Sequence, residues 1–185
     1  MALSVVKNAD WVAGWAEDSG CHVYLRNRDI AFSDGEIVYI GDKFDPQGQP
    51  VATIDGRGYF VSPGFVNVHS HPAHEPIQKG FTEEVGSPGL YNSSLYEFLE
   101  RLVGTASDTA AQTTMAAAEA LRSGVTTLVD MSIIYPGWMD VIAASGLRAY
   151  IAPMFRSGNF YTANGHLVEY DWFEDEGFGA MQAAL

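Results

Sequence analysis

The fold of this chain is decided by one stretch, Val61-Ser62-Pro63-Gly64-Phe65-Val66-Asn67-Val68-His69-Ser70-His71-Pro72. An apolar run leaves a Pro-Gly turn and ends in two histidines two residues apart. Because alternate side chains of a β-strand point to the same face, His69 and His71 are expected to project toward one point while Ser70 points away. Neutral imidazoles suit zinc, iron or cobalt, whereas magnesium and calcium prefer oxygen ligands. The stretch therefore predicts one divalent transition metal, with zinc the first choice.

The residues before the histidines extend the pattern. Thr53-Ile54-Asp55-Gly56-Arg57-Gly58-Tyr59-Phe60, followed by the stretch above, resembles the passage of the amidohydrolase superfamily from a small β domain into the first strand of a (β/α)8 barrel. Asn67, where many members carry Asp, is similar to the branch of cytosine and guanine deaminases, S-adenosylhomocysteine deaminase and triazine chlorohydrolases. The resemblance implies that His69 and His71 ligate the catalytic metal. The alternative is a histidine pair at a strand end with no metal.

Chain length limits this fold. A (β/α)8 barrel needs about 250 residues, and the chain has 185. We expect an incomplete α/β fold, with residues 1–60 as the N-terminal part of a β-sandwich domain and residues 61–185 as the first three βα units of the barrel. We interpret the chain as an N-terminal piece of a longer protein, with a naturally short paralogue as the alternative. The resemblance implies that strands from the C-terminal end of the longer protein complete the sandwich. Without those strands an apolar face would be exposed, which favours homo-oligomers.

Composition narrows the class of protein and its partners. The hydrophobic fraction of 47% is enough for a core, and no apolar run reaches the eighteen or so residues of a membrane helix. The net charge of −13 argues against nucleic acid and anionic membrane as partners. The single Cys21 and an N-terminus unlike a signal peptide favour the cytoplasm. A small-molecule substrate remains as the expected partner.

Periodicity predicts two zones of secondary structure. The first 60 residues predict short strands, with a hairpin turn at Ser33-Asp34-Gly35. These strands are Leu3–Lys7, Val23–Leu25, Asp29–Phe32, Glu36–Ile40 and Val51–Ile54. After the His-x-His strand, helices are predicted at 94–103, 107–122 and 136–145, and strands at 125–130 and 148–154. Alternating strands and helices imply parallel βα units, with three barrel strands beginning near residues 65, 125 and 148.

Loops after the barrel strands carry the candidate substrate-binding residues, because barrel enzymes build their sites there. His74 and Glu75 follow the first strand, where they could touch substrate or support a metal ligand. Arg156 and His166 follow the third strand among aromatic residues, which suits an organic ligand with a ring and a polar edge. The alternative is an ordinary solvated loop. Asp130, at the end of the second strand, could support a ligand or cap a helix.

The resemblance also implies the chemistry. It predicts a parent hydrolase acting on a C–N bond, in which metal-bound hydroxide attacks a heterocyclic or amidine carbon in deamination or dechlorination. The proton-transfer residues and remaining ligands are expected beyond Leu185, so no catalytic residue is assigned within the chain. Two histidines are fewer than the three protein ligands usual in catalytic zinc sites. We therefore expect weak metal binding and no turnover from the 185 residues alone.

Three other functions stay open. The loop sequences Glu75-Pro76, Glu83-Glu84-Val85-Gly86 and Leu95-Tyr96 look similar to hydrolases of urea and carbamate herbicides, which makes an amide, urea or carbamate hydrolase the runner-up. A non-catalytic, truncated module that associates with itself is a second alternative, since unpaired strands recruit other strands. An ordinary α/β binding fold without metal is the third.

Overall fold

The computed structural model describes residues 3–79, 105–164, 167–173 and 176–184. The helix predicted at 94–103 and the candidate residue His166 lie outside this part of the chain. The chain divides into two compact units, Met1–Pro63 and Gly64–Leu185. Within the described ranges, no helix combines the length and apolarity needed to span a membrane.

The first unit is a five-stranded sheet. Its strands are β1 (Leu3–Ala16), β2 (Cys21–Ser33), β3 (Glu36–Gly41), β4 (Val51–Asp55) and β5 (Phe60–Val61). The order is β3-β2-β1-β4, and β5 also pairs with β1. β1, β2 and β3 are antiparallel neighbours, whereas β4 and β5 run parallel to β1. The described residues of this unit form this one sheet, so the sandwich domain remains a prediction.

Two strand predictions in this unit are too short. The strand predicted at Leu3–Lys7 continues to Ala16, and the two predicted around Val23 and Asp29 are one strand. The register of β1 against β2 shifts between Val6 and Ala9, where Asn8 has a φ of 57°. A bulge of this kind lets a strand continue across residues that break its alternation. The residues after Lys7, and those between Leu25 and Asp29, which the prediction left outside strands, therefore lie inside β1 and β2.

The second unit contains a parallel three-stranded sheet of order β6-β7-β8. Its elements are β6 (Phe65–Ser70), α1 (Glu75–Gln78), α2 (Ala106–Arg122), β7 (Val125–Asp130), α3 (Trp138–Ser145), β8 (Arg148–Ile151), β9 (Gly158–Tyr161), β10 (Glu169–Trp172) and α4 (Glu176–Ala184). The predicted strand starts near residues 65, 125 and 148 are confirmed, and the α/β class with them. In the described residues these strands do not close into a barrel.

The region after β8 differs from the prediction. The strand predicted at 148–154 ends at Ile151. The stretch read as a loop contains β9, which pairs antiparallel with β10. Tyr161 and Phe160 lie opposite Glu169 and Tyr170 in this pair, so aromatic residues that suggested a ligand loop also build a small sheet.

Two apolar clusters hold the helices of this unit. Ala117 of α2 packs with Leu128 of β7 and with Leu147. Trp138 and Ile142 of α3 pack with Tyr135 and with Ala73, which follows β6. The second cluster therefore ties α3 to the segment immediately after the His-x-His strand.

Helix α2 begins with a capping box, which gives a first prediction. The Thr105 amide donates to Asp108 Oδ2 at 2.7 Å, and the Asp108 amide donates to Thr105 Oγ1 at 3.4 Å. Thr105→Ala removes the side-chain acceptor and should lower the free energy of unfolding by about 0.5–2 kcal/mol. Urea unfolding followed by circular dichroism measures this change. Thr114→Ala, at an exposed position inside the same helix, should be neutral or stabilising, and equal losses in both variants would contradict the capping role.

The approach of Gly64 to β7 gives a second prediction. A Cβ added to Gly64 would overlap Thr126 Oγ1 and Cγ2 and lie 2.7 Å from Thr126 Cβ. Gly64→Ala should therefore force β6 and β7 apart and lower the free energy of unfolding by about 1–3 kcal/mol. Gly179→Ala is the control, because nothing lies within 4 Å of its added Cβ. Thermal unfolding that leaves Gly64→Ala as stable as this control would contradict the close packing.

Candidate metal centre

The end of strand β6 presents the two histidines to one point. Ser70, between them, is buried, and its Oγ donates to the Val129 carbonyl of β7 at 2.9 Å. His69 is exposed and His71 is half-buried. Their Nε2 atoms lie 3.1 Å apart, and the ring planes are inclined by 72°. The strand therefore places two ring nitrogens next to each other, as the alternation of side chains predicts.

The hydrogen bond on the far side of the His71 ring decides which nitrogen is free. His71 Nδ1 lies 2.6 Å from the Met131 carbonyl oxygen. Because a carbonyl oxygen only accepts, we assign the proton to Nδ1, which leaves the lone pair of Nε2 directed toward His69. A carbonyl partner of this kind is typical of metal-binding histidines.

The separation of the two nitrogens is that of a hydrogen bond between the rings, and it is also close to the separation of two ligands of one metal ion. Two nitrogens bound tetrahedrally at 2.0–2.1 Å from zinc lie about 3.3 Å apart, close to the 3.1 Å between the His69 and His71 Nε2 atoms. The described residues contain no group of three or more His, Cys, Asp or Glu side chains that could hold a metal. The part of the site seen here thus offers two imidazole ligands.

Side chains near the histidines also hold their backbone. Asn67 Oδ1 accepts a hydrogen bond from the His69 amide at 3.1 Å. Glu75 Oε1 accepts one from the His71 amide at 2.8 Å. Glu75, predicted to bind substrate or support a ligand, therefore fixes the chain at His71. In the sequence, Asn67 indicated only which branch of the superfamily the chain resembles. Its hydrogen bond to the His69 amide was not predicted.

Two of the other candidate residues, His74 and Arg156, are close enough to interact electrostatically. His74 is half-buried. Burial lowers its pKa first, and the positive guanidinium of Arg156 and the His71 ring lower that pKa further. Arg156 is exposed and follows β8, so its electrostatic effect on His74 indicates that the loops after β6 and β8 lie near each other. A depressed pKa keeps the His74 ring neutral near pH 7, able to donate one hydrogen bond and accept another. Their contact with substrate stays a prediction.

Sequence reasoning missed the partners of Asp130. This residue is fully buried, and its carboxylate accepts from Ser132 Oγ at 2.5 Å and from Trp138 Nε1 at 2.7 Å. The idea that it caps a helix is wrong, because the N-cap of α3 is Gly137 and no side chain caps it. The sequence signal for a role of Asp130 was its position as a polar residue at the end of an apolar strand. The pairing with an indole eight residues later depends on the packing of α3, which periodicity does not predict.

The sequence is similar to those of known deaminases. No family model matches the sequence. The 5'-deoxyadenosine deaminase of Methanosarcina barkeri is 32% identical over 149 residues, which cover 80% of this chain and 32% of that protein. The 5-methylthioadenosine/S-adenosylhomocysteine deaminase of Halalkalibacterium halodurans is 29% identical over 151 residues, or 80% of this chain and 33% of that protein. The chain thus spans about one third of the length of these relatives.

Solved structures with the same fold come from related enzymes. Atrazine chlorohydrolase from Arthrobacter aurescens TC1, complexed with zinc, superposes with a TM-score of 0.65 at 17% identity over 89% of this chain and 39% of that one. Guanine deaminase from C. acetobutylicum gives a TM-score of 0.61 at 15% identity with the same coverage. The parallel strands and the histidine pair, with these relatives, define a chain of amidohydrolase fold. The chain belongs to the amidohydrolase superfamily, in its branch of deaminases and triazine hydrolases.

Proposed function

We propose that this chain supplies the first two metal ligands of a metal-dependent hydrolase that deaminates or dechlorinates a small nitrogen heterocycle. The observation that carries the proposal is the 3.1 Å approach of the two Nε2 atoms, with His71 Nδ1 bonded to the Met131 carbonyl. Relatives named as deaminases of adenosine derivatives, and the zinc complex of a chlorohydrolase, support it.

Zinc is the metal we propose, with iron and cobalt as alternatives that accept the same imidazole ligands. A bound divalent ion would lower the pKa of water and polarise the carbon under attack. The chain's own residues hold the ligands in place. Asn67 and Glu75 fix the backbone of the two histidines, and the Met131 carbonyl keeps the proton on His71 Nδ1.

We infer that the substrate is a small molecule bound near His74 and Arg156. Their ring and guanidinium can donate hydrogen bonds to the nitrogen or oxygen atoms of a heterocycle. The net charge of −13 disfavours nucleic acid as a partner. The single Cys21, which is a free thiol, keeps the cytoplasm as the proposed location.

This function is tested by analysing reaction products. The enzyme to use is a longer protein that includes this chain and matches the deaminase relatives in length. With zinc present, we expect ammonia from an amino-purine nucleoside or chloride from a chlorotriazine. An alkylamine or aniline released from a urea or carbamate would instead favour the runner-up hydrolase. Zinc binding without any of these products would reject the proposed substrates.

The 185-residue chain by itself gives a further expected result. Because it offers two imidazole ligands in its described part, it should bind zinc weakly and release no product. Light scattering after size exclusion tests the competing proposal of a module that associates with itself. A stable oligomer that binds no zinc would favour that module over the hydrolase.

A further inference from the structure

We propose that Asp130 is a positioning residue for His71 and acts through the Met131 carbonyl. The importance of this contact rests on the proposed function, because His71 is one of the proposed metal ligands. Its geometry is independent of any metal. The contacts involved lie in the segment from Asp130 to Ser132, where β7 ends.

The Asp130 carboxylate is anchored at both oxygens. Oδ1 accepts a hydrogen bond from Ser132 Oγ. Oδ2 accepts one from the indole Nε1 of Trp138, which is the first residue of α3. Asp130 and Ser132 are fully buried, and Trp138 is 4% exposed. Burying a carboxylate among neutral donors costs free energy unless its oxygens are hydrogen-bonded. A leucine or valine would fill the end of a buried strand without that cost, so this network calls for a role beyond packing.

Met131 lies inside the loop that this network closes. The bond from Ser132 Oγ to Asp130 Oδ1 spans it on one side. On the other side, the Met131 amide donates to the Ser70 carbonyl at 2.9 Å, and its own carbonyl accepts from His71 Nδ1 at 2.6 Å. The orientation of the Met131 carbonyl therefore sets the direction of the hydrogen bond that holds the His71 imidazole.

Backbone hydrogen bonds to the segment after β8 hold the neighbours of Met131 but do not involve the Met131 carbonyl. The Ala152 amide donates to the Asp130 carbonyl and the Met154 amide to the Ser132 carbonyl, each at 2.9 Å. These two bonds hold the carbonyls on either side of Met131 and leave its own carbonyl to His71. The side-chain bond between Asp130 and Ser132 spans Met131 and is a further restraint, beside these backbone bonds, on the peptide that carries this carbonyl.

The test reads the tautomer of His71 by nitrogen-15 NMR in the metal-free chain. In the unaltered chain we expect the proton on Nδ1 alone. Asp130→Asn keeps the size of the side chain but offers one acceptor oxygen to two donors. We expect this variant to populate the Nε2-protonated form as well, and to bind zinc about 10-fold more weakly.

Two further variants separate positioning from general stability. Ser132→Ala removes the bond across Met131 and should shift the tautomer in the same direction. Tyr135→Phe removes an equally buried hydrogen bond, from Tyr135 Oη to Thr113 Oγ1 at 2.8 Å, and should leave the tautomer unchanged. If Asp130→Asn does not fold, Ser132→Ala decides the question.

Retention of the pure Nδ1-protonated form in Asp130→Asn or, failing that variant, in Ser132→Ala would overturn the inference. The proposed function fails separately. If the unaltered chain binds no zinc, the metal assignment is wrong, whereas the tautomer in metal-free protein still tests the link from Asp130 to His71.

Discussion

Replacing either His69 or His71 with Ala abolishes zinc binding in the concentration range where the unaltered chain binds. Each change removes one of two ring nitrogens that lie 3.1 Å apart. A single imidazole cannot chelate, and the described residues offer no group of three or more metal-binding side chains as a substitute. Isothermal titration of the unaltered chain and of each variant with zinc at pH 7 measures the loss.

The matched control for these variants is His22→Ala. His22 is exposed on β2 of the first unit, where its ring packs edge-on against Trp15 at 5.0 Å. This variant should bind zinc as the unaltered chain does, and all three variants should keep the same unfolding midpoint within a few degrees. Zinc binding that survives in His69→Ala and His71→Ala would place the metal elsewhere on the chain.

Trp138→Ala should produce the largest loss of stability among single side-chain truncations at the described residues of the second unit. The ring is buried against Ala73, Tyr135 and Ile142, and its Nε1 donates to Asp130. Truncation leaves a cavity and a buried carboxylate oxygen without its donor, so we expect a loss of about 3–5 kcal/mol. That is a large share of the 5–15 kcal/mol typical of native proteins. Urea unfolding monitored by circular dichroism gives the value.

The same substitution at Trp172 is the control. That indole is 69% exposed and stacks on Tyr170 with ring centroids 5.3 Å apart. Trp172→Ala should cost about 0.5–1.5 kcal/mol, the usual contribution of an aromatic pair. Comparable losses in the two variants would show that the cluster around Trp138 is not the core of this unit.

The parallel strands were predictable because their sequence signals are local. β7 is a run of β-branched and apolar residues between Gly124 and a polar end, and Gly124 and Gly146 end the preceding elements with φ of 81° and 78°. These turns can be predicted from the sequence, because only glycine adopts a positive φ freely. The long strands of the first unit were missed because a bulge, unlike a turn, preserves the strand while breaking its alternation.

The candidate site was predictable in part for the same reason. The spacing of His69 and His71 is a property of one strand, so alternation alone brings their nitrogens together. The contacts that set their chemistry join different elements. The Met131 carbonyl lies just after β7, and the Asp130 network joins β7 to α3. A backbone acceptor carries no residue type that a sequence could signal. The approach of Arg156 to His74 likewise depends on where two loops fold.

We expect His69 and His71 to bind one metal ion through their Nε2 atoms. Crystals of the 185-residue chain grown with zinc, with diffraction data on both sides of the zinc absorption edge, test it most directly. We predict one anomalous peak about 2 Å from both Nε2 atoms, with His71 Nδ1 still bonded to the Met131 carbonyl. A peak on only one of the two rings, or none near β6, would contradict the claim.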